Sequence, residues 1–168
     1  MSKIAAIFVF AVALFAADTL RRAPGFALPD EKGDLHDLYD YRGKVVLLEF
    51  MQTTCPHCAA FAAALGNVQK NYAGKLQVLS AVFPPDTPKM VNEYIAAHKL
   101  AYPVLFDCGQ MAYSYIRKPT VDFPRLFLID RDGMIRADWD NTTVTSANFE
   151  SAKLIPEIDR VLAAPAKK

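Results

Sequence analysis

The chain has 168 residues, of which 52% are hydrophobic and 22% are charged, and its formal net charge at pH 7 is +1. This length suits one domain with a single core, and the composition is globular rather than disordered. A balanced charge without a Lys/Arg cluster argues against a nucleic-acid partner. Three cysteines are too few for a disulfide scaffold, so paired cysteines are expected to carry chemistry.

The N-terminus has the pattern of an export signal. Lys3 supplies a positive charge, residues 4–17 form an uninterrupted apolar run, and small residues precede Asp18. The run is shorter than the roughly 20 residues that a spanning helix needs. We therefore predict a signal peptide or short membrane anchor over 1–18 and one domain over 19–168. An exported protein works where disulfides persist, and only an uncleaved N-terminal segment would connect this one to a membrane.

The rest of the chain alternates between strand and helix patterns. A turn over residues 30–33 joins two short extended segments, which predicts an N-terminal hairpin. Apolar periodicity predicts strands over 45–51, 76–83, 103–106, 125–129 and 134–139, and helices over 55–72, from 87, over 110–116 and over 151–162. This order mixes parallel crossovers with a final antiparallel hairpin, which favours an α/β fold with a mixed sheet.

Cys55 and Cys58 lie between a strand pattern and an alanine-rich helix pattern. A strand that leads directly into a helix places the first thiol at the helix N-terminus, where free N–H groups and the helix dipole stabilise a thiolate. Pro56 suits the first turn, where its missing N–H costs nothing. Cys55 is thus the predicted nucleophile, and Cys58 the resolving thiol of a mixed disulfide. A structural disulfide or half of a zinc site is the alternative, although no second ligand pair is recognisable.

Two ionisable residues accompany the pair. His57, between the cysteines, can attract the Cys55 thiolate and so make the couple more oxidising, or it is a solvated surface residue. Glu49 lies six residues before Cys55 in an apolar run, where burial would raise its pKa toward the range useful for proton transfer. Strand alternation could instead place Glu49 at a solvated edge.

With these residues in place, the chain resembles the thioredoxin fold in its exported TlpA/ResA-like branch. Four blocks occur in that branch's order and approximate spacing, namely residues 23–26, 41–48, the Cys-x-x-Cys pair and 127–133. The active-site stretch is closer to the disulfide oxidase DsbA, which has the same Pro-His dipeptide. The resemblance covers roughly residues 24–162. It implies a thioredoxin-like three-layer α/β/α sandwich with an N-terminal β-hairpin extension and a mixed central sheet.

The resemblance also implies a thiol–disulfide oxidoreductase that acts on protein thiols or disulfides and exchanges electrons with a redox partner protein. Its redox centre would be the Cys55–Cys58 disulfide, with no further cofactor and no metal. Glu49 matches the family's buried acid, which takes or returns the proton of Cys58. Pro124, after Phe123, matches the family's cis-proline loop, which faces the first cysteine and offers backbone groups to an extended substrate.

This chain departs from its relatives beside that loop and before the cysteines. A bulky Phe123 precedes the proline and Arg125 follows it, and both bear on substrate specificity. Met51 and Thr54 stand where thioredoxin relatives often carry tryptophan, which predicts a less aromatic surface beside Cys55. Trp139 is expected to pack, and His36 and His98 to be ordinary surface residues. Cys108 is the odd thiol, either a buried free cysteine or a thiol at a second helix N-terminus.

The direction of electron flow stays open at this point. The TlpA/ResA-like framework implies a reductant, often serving cytochrome maturation, whereas the DsbA-like dipeptide implies an oxidant. A peroxiredoxin-like thiol peroxidase is one alternative function, but its pattern needs a Thr three residues before the reactive cysteine, where this chain has Gln52. The other alternative is a thiol-based chaperone for copper or for haem maturation.

Overall fold

The centre of the protein is a five-stranded mixed sheet. The computed structural model describes residues 21–107, 109–140 and 151–165, so the predicted export signal, the boundary after residue 18 and Cys108 lie outside the described residues. A hairpin of β1 (Ala27–Pro29) and β2 (Leu35–Asp37) and a 3-10 helix (Leu38–Tyr41) precede the sheet. The sheet strands are β3 (Val45–Met51), β4 (Leu76–Val82), β5 (Val104–Phe106), β6 (Arg125–Ile129) and β7 (Ile135–Asp140). The helices are α1 (Pro56–Asn71), α2 (Pro88–His98), α3 (Gln110–Ile116) and α4 (Ser151–Ala163).

The strand order is β5-β4-β3-β6-β7, which puts β3 in the middle of the sheet. β3 pairs parallel with β4 and antiparallel with β6, while β4 pairs parallel with β5 and β6 antiparallel with β7. All seven residues of β3 are buried, which explains its continuous apolar pattern. The predicted hairpin, mixed sheet and order of elements are confirmed, with boundaries shifted by one or two residues.

Alternation along β3 sends its side chains into two different layers. Val46, Leu48 and Phe50 pack in one cluster with α3 and with the N-terminal segment. Val45 and Leu47 pack on the other side with α1 and α4, and the α1 residue Cys58 packs there against Met51 and α2. The helices therefore cover both faces of the sheet, as a three-layer sandwich requires. By the same alternation Glu49 points to the face that carries α1.

A partly buried polar cluster joins the turn of the N-terminal hairpin to β2 and to the 3-10 helix. The His36 Nε2 atom lies 3.1 Å from Asp30 Oδ2, and its Nδ1 atom lies 2.5 Å from the Tyr41 hydroxyl oxygen. Asp30 also accepts the backbone N–H groups of Lys32 and Asp34, each at 2.9 Å. The prediction that His36 is an ordinary surface residue was wrong, because the hairpin turn brings Asp30 within hydrogen-bond distance of its Nε2 atom and the side chain is only 15% exposed.

Within the three described ranges, no helix combines the length and the apolar content needed to cross a membrane.

Candidate active site

Cys55 is the N-cap residue of α1. Its backbone is extended, with φ −80° and ψ 114°, and its sulfur accepts a hydrogen bond from the Cys58 N–H at 3.3 Å. On its other side the Cys55 thiol donates to the Phe123 carbonyl oxygen at 3.7 Å. A thiolate here would keep the N–H partner and gain from the positive end of the helix. The half-buried sulfur is thus placed to react with a group arriving from the surface.

The turn before Cys55 is fastened to the connection between β4 and α2. The Thr53 backbone N–H and its hydroxyl donate to the Asp86 carboxylate at 2.6 and 3.0 Å. The Gln52 side-chain amide donates to the Pro84 carbonyl oxygen at 3.1 Å. Sequence reasoning missed Asp86 as a residue of the site. The available signal was that the turn after β4 must lie beside the end of β3, because the two strands are parallel neighbours.

Cys58 is completely buried one turn into α1. It packs among apolar side chains of β3, β4, β5 and α2. Burial, then the charge of Glu49, and then the hydrogen bond with Cys55 raise the pKa of its thiol well above the ordinary value. Cys58 therefore holds its proton at neutral pH, and it can act as a nucleophile only when a nearby base removes that proton.

Glu49 supplies a carboxylate on the same face of the sheet. Its side chain is 1% exposed, which rules out a solvated edge, and burial raises its pKa to about 7. The hydroxyl of Ser80, its cross-strand neighbour on β4, donates to Glu49 Oε2 at 2.5 Å and partly offsets that rise. The Oε1 atom has no hydrogen-bond partner among the described residues. A carboxyl with this pKa and a free oxygen can accept and return a proton near neutral pH.

Two tyrosine side chains interact electrostatically with Glu49 but do not compete with it as proton acceptors. Burial, followed by the charge of Glu49, raises the pKa of both Tyr94 and Tyr102 above the ordinary value of 10. Both phenols stay protonated across the neutral range. Glu49 is thus the group near Cys58 whose charge changes close to pH 7.

We expect the substitution Ser80→Ala to raise the pKa of Glu49 above about 7, because it removes a hydrogen bond that stabilises the ionised carboxylate. Titration of the Glu49 carboxyl carbon by NMR measures the change. Ser114→Ala is a matched control, since the Ser114 hydroxyl donates to a backbone carbonyl on the exposed side of α3. An unchanged midpoint in Ser80→Ala would contradict this account of the carboxyl environment.

The other predicted site residues surround Cys55. Pro56 and His57 occupy the exposed first turn of α1. The Phe123–Pro124 peptide bond is cis, which confirms the isomer expected from the family, and its carbonyl is the one that meets Cys55. The substrate-binding role of this loop stays a prediction.

The Arg125 side chain, next to the cis-proline, is buried and paired with two carboxylates. Its side chain is 7% exposed and is paired with Asp138 at 2.5 Å and with Asp140 at 2.8 Å, both on β7. The guanidinium also lies over the Phe127 ring, 5.5 Å from its centroid. These partners hold the Arg125 guanidinium away from solvent, and its bearing on substrate specificity stays a prediction.

That the surface beside Cys55 is less aromatic than in thioredoxin relatives stays a prediction, but the structure shows which aromatic rings lie around the loop that meets Cys55. Met51, expected there in place of tryptophan, is 1% exposed and lies in the core. Aromatic rings come instead from other elements, namely Phe83 after β4, Tyr113 on α3 and Phe123 in the loop before β6. The sequence analysis named Phe123 but missed Phe83 and Tyr113, because the contacts that join these two rings to Phe123 depend on the fold.

Comparisons with known proteins agree with this geometry. The model of the AhpC/TSA family matches residues 20–138. The thioredoxin-like protein YneN of Bacillus subtilis (strain 168) is 30% identical over 132 residues, which cover 77% of this chain and 75% of YneN. The thiol-disulfide oxidoreductase ResA of Bacillus thuringiensis subsp. konkukian is 28% identical over 116 residues, which cover 68% of this chain and 65% of ResA. The chain thus spans slightly less than two thirds of this ResA.

A solved structure shows the same architecture. A Chlorobium tepidum protein proposed to be the thiol:disulfide interchange protein DsbE superposes with a TM-score of 0.73 and 29% identity, over 84% of this chain and 96% of that protein. This agreement concerns the fold as a whole, in which Cys55 and Cys58 lie at the start of α1. The chain therefore belongs to the AhpC/TSA family, and it is a thiol–disulfide oxidoreductase with Cys55 and Cys58 as its dithiol.

Proposed function

We propose that this oxidoreductase is exported and reduces disulfides in other exported proteins, and that a separate redox protein returns it to the dithiol form. The site supports this through one arrangement, a surface thiol at a helix N-terminus backed by a buried thiol and a buried acid. The N-terminal pattern of the sequence supports export. The resemblance to the TlpA/ResA-like branch supports cytochrome c maturation as the process served.

The proposed reaction begins with the Cys55 thiolate, which attacks one sulfur of a substrate disulfide and releases the other as a thiolate. Glu49 then removes the proton from Cys58. The Cys58 thiolate attacks the Cys55 sulfur of the mixed disulfide and releases the second substrate thiol. Two electrons pass to the substrate and the Cys55–Cys58 disulfide forms. The proton that Glu49 took from Cys58 goes to the sulfur released second, and the substrate thiolate released first takes its proton from solvent. The proposed cycle uses no cofactor besides this disulfide.

The immediate surroundings of the Cys55 sulfur favour a reductant over an oxidant. An oxidant of this kind needs a strongly stabilised thiolate, which the Pro-His dipeptide was expected to supply through His57. In the described residues the sulfur meets the Cys58 N–H and the Phe123 carbonyl, while the His57 side chain is exposed to solvent. Solvent weakens the attraction between an exposed imidazolium and the thiolate. The Pro-His dipeptide is therefore weaker support for an oxidant than the TlpA/ResA-like framework is for a reductant.

The reduction potential of the Cys55/Cys58 couple tests the proposed direction. We expect a value near −270 mV in a glutathione buffer, which is typical of thioredoxin-like reductants. A value near −120 mV, as in a strong oxidant, would reverse the proposal. Rapid consumption of hydrogen peroxide by the purified protein would instead favour a peroxidase, and stoichiometric capture of Cu(I) without disulfide exchange would favour a chaperone.

A further inference from the structure

Three aromatic side chains are joined by ring contacts, and one of them, Phe123, meets the reactive sulfur through its backbone carbonyl. We call Phe83, Tyr113 and Phe123 the aromatic strip. The Phe123 carbonyl accepts the Cys55 thiol at 3.7 Å. The Phe83 and Phe123 ring centroids are 5.9 Å apart, and those of Phe83 and Tyr113 are 6.2 Å apart. The strip thus leads from the loop that meets Cys55, through two partly buried rings, to the exposed Tyr113 on α3.

Backbone contacts fix the positions of two residues of the strip, Phe83 and Tyr113. The Phe83 N–H donates to the Met51 carbonyl at 3.2 Å, which anchors this ring to the end of β3. Gly109, at the N-cap of α3, has φ +100°, and a Cβ there would lie 3.5 Å from the Phe83 ring. The Tyr113 N–H donates to the Gly109 carbonyl at 3.2 Å. The backbone of this turn therefore positions both rings.

Tyr113 is exposed in a way that the fold does not require. Among the described residues, the exposed large hydrophobic side chains are Leu35, Tyr39 and Tyr113, at 67%, 74% and 57%. Leu35 and Tyr39 belong to the N-terminal hairpin and the 3-10 helix. Tyr113 is the one of the three that is connected by ring contacts, through Phe83, to Phe123, whose carbonyl meets the Cys55 thiol. An aromatic ring exposed next to a reactive centre is suited to contact what reacts there.

We propose that the aromatic strip binds an apolar, preferably aromatic, side chain of the substrate polypeptide, near the cysteine that Cys55 attacks. This inference rests on the proposed function, because the occupant must be a polypeptide disulfide. In the mixed disulfide the substrate sulfur is bonded to Cys55, so a substrate chain that crosses the Phe123 carbonyl runs over Phe83 toward Tyr113. The distance between neighbouring ring centroids in the strip corresponds to about two residues of extended chain, at roughly 3.3 Å per residue. The side chain recognised is therefore within about four residues of the substrate cysteine.

Two peptides that differ at one position test the strip. Each carries one cysteine in a disulfide with 2-mercaptoethanol, and the residue three positions away is Phe in one peptide and Ser in the other. The reaction of each peptide with the reduced protein is quenched with acid at set times and analysed by mass spectrometry. The measured quantity is the ratio of the two second-order rate constants. We expect a wild-type ratio of about five, within the range that aromatic contacts supply.

Variants of the strip then show which rings cause the preference for the Phe peptide over the Ser peptide. Tyr113→Ala is expected to bring the ratio close to one, Tyr113→Phe to keep it, and Phe83→Leu to lower it. Tyr39→Ala is the matched control, since Tyr39 is exposed on the 3-10 helix, and it should leave the ratio unchanged. A wild-type ratio of one, or an unchanged ratio in both Tyr113→Ala and Phe83→Leu, would overturn the inference.

Failure of the proposed function has a different signature. Bis(2-hydroxyethyl) disulfide has no side chain for the strip, so its reaction with the wild-type protein reports the dithiol chemistry alone. Absence of that reaction would refute the oxidoreductase and the inference together. Normal reaction with this small disulfide and a ratio of one would refute the strip alone.

Discussion

Replacing Cys55 with Ser is expected to reduce disulfide exchange to the rate of the buffer alone. The hydroxyl of serine is a far weaker acid than a thiol, so the helix N-terminus cannot convert it to an effective nucleophile near neutral pH. Cys58 cannot replace Cys55, because Cys58 is completely buried and burial raises the pKa of its thiol. Reduction of insulin disulfides measures the loss.

Cys58→Ser separates the two thiols in the same experiment. With Cys55 intact the first attack still occurs, but no resolving thiol follows, so a mixed disulfide between Cys55 and the substrate should accumulate on a non-reducing gel. Cys108→Ser is the matched cysteine control and should retain exchange. Full activity in Cys55→Ser, or loss of activity in Cys108→Ser, would show that the reactive pair is wrongly assigned.

The parts of this site that could be predicted from sequence are those that neighbouring residues determine. The strand over 45–51, the helix that starts after Cys55 and the turn at Gly133 depend on local apolar periodicity and turn chemistry, and the structure has them at nearly the predicted bounds. The cis bond at Phe123–Pro124 came from family resemblance alone, since a Phe-Pro pair is ordinarily trans.

The parts that could not be predicted depend on pairings across the sheet. The hydrogen bond from Ser80 to Glu49 requires the register between β3 and β4, and the ion pairs of Arg125 require the register between β6 and β7. The attachment of Thr53 to Asp86 joins residues 33 positions apart. Nothing in the local pattern around Ser80, Arg125 or Asp86 contains this information, because a strand's register is decided by its partner.

Glu49→Gln is expected to remove the effect of pH on stability that the buried carboxyl imposes. Burial raises the pKa of Glu49 from an ordinary value of 4.5 to about 7. Between these values the folded protein binds more protons than the unfolded chain, so the free energy of unfolding falls as pH rises. At about 1.4 kcal/mol for each tenfold change in an equilibrium constant, the full loss is about 3 kcal/mol.

The direction of this effect fixes the pH window. Stability from the neutral carboxyl is fully present below pH 4.5 and is lost once pH has risen through about 7. The free energy of unfolding of Glu49→Gln minus that of the wild type should therefore grow by about 3 kcal/mol between pH 4 and pH 8. Urea denaturation of the reduced proteins measures the difference. Glu93→Gln is the matched control, because Glu93 is exposed on α2, and its difference from the wild type should stay flat.

The same substitution should separate the two chemical steps of the dithiol. Attack by Cys55 does not use Glu49, so the rate at which the mixed disulfide forms should change little. Its resolution requires removal of the Cys58 proton, and in the wild type this rate should rise with pH through about 7 as Glu49 ionises. In Glu49→Gln we expect resolution to be slower by about tenfold or more and to lose that inflection, since general base catalysis contributes at least this much. Rapid-quench measurement of the mixed disulfide against pH distinguishes the steps. If the resolution rate keeps its inflection near pH 7 in Glu49→Gln, another group takes the proton of Cys58. Glu49 would then be a buried acid that lowers stability above pH 7 without contributing to catalysis.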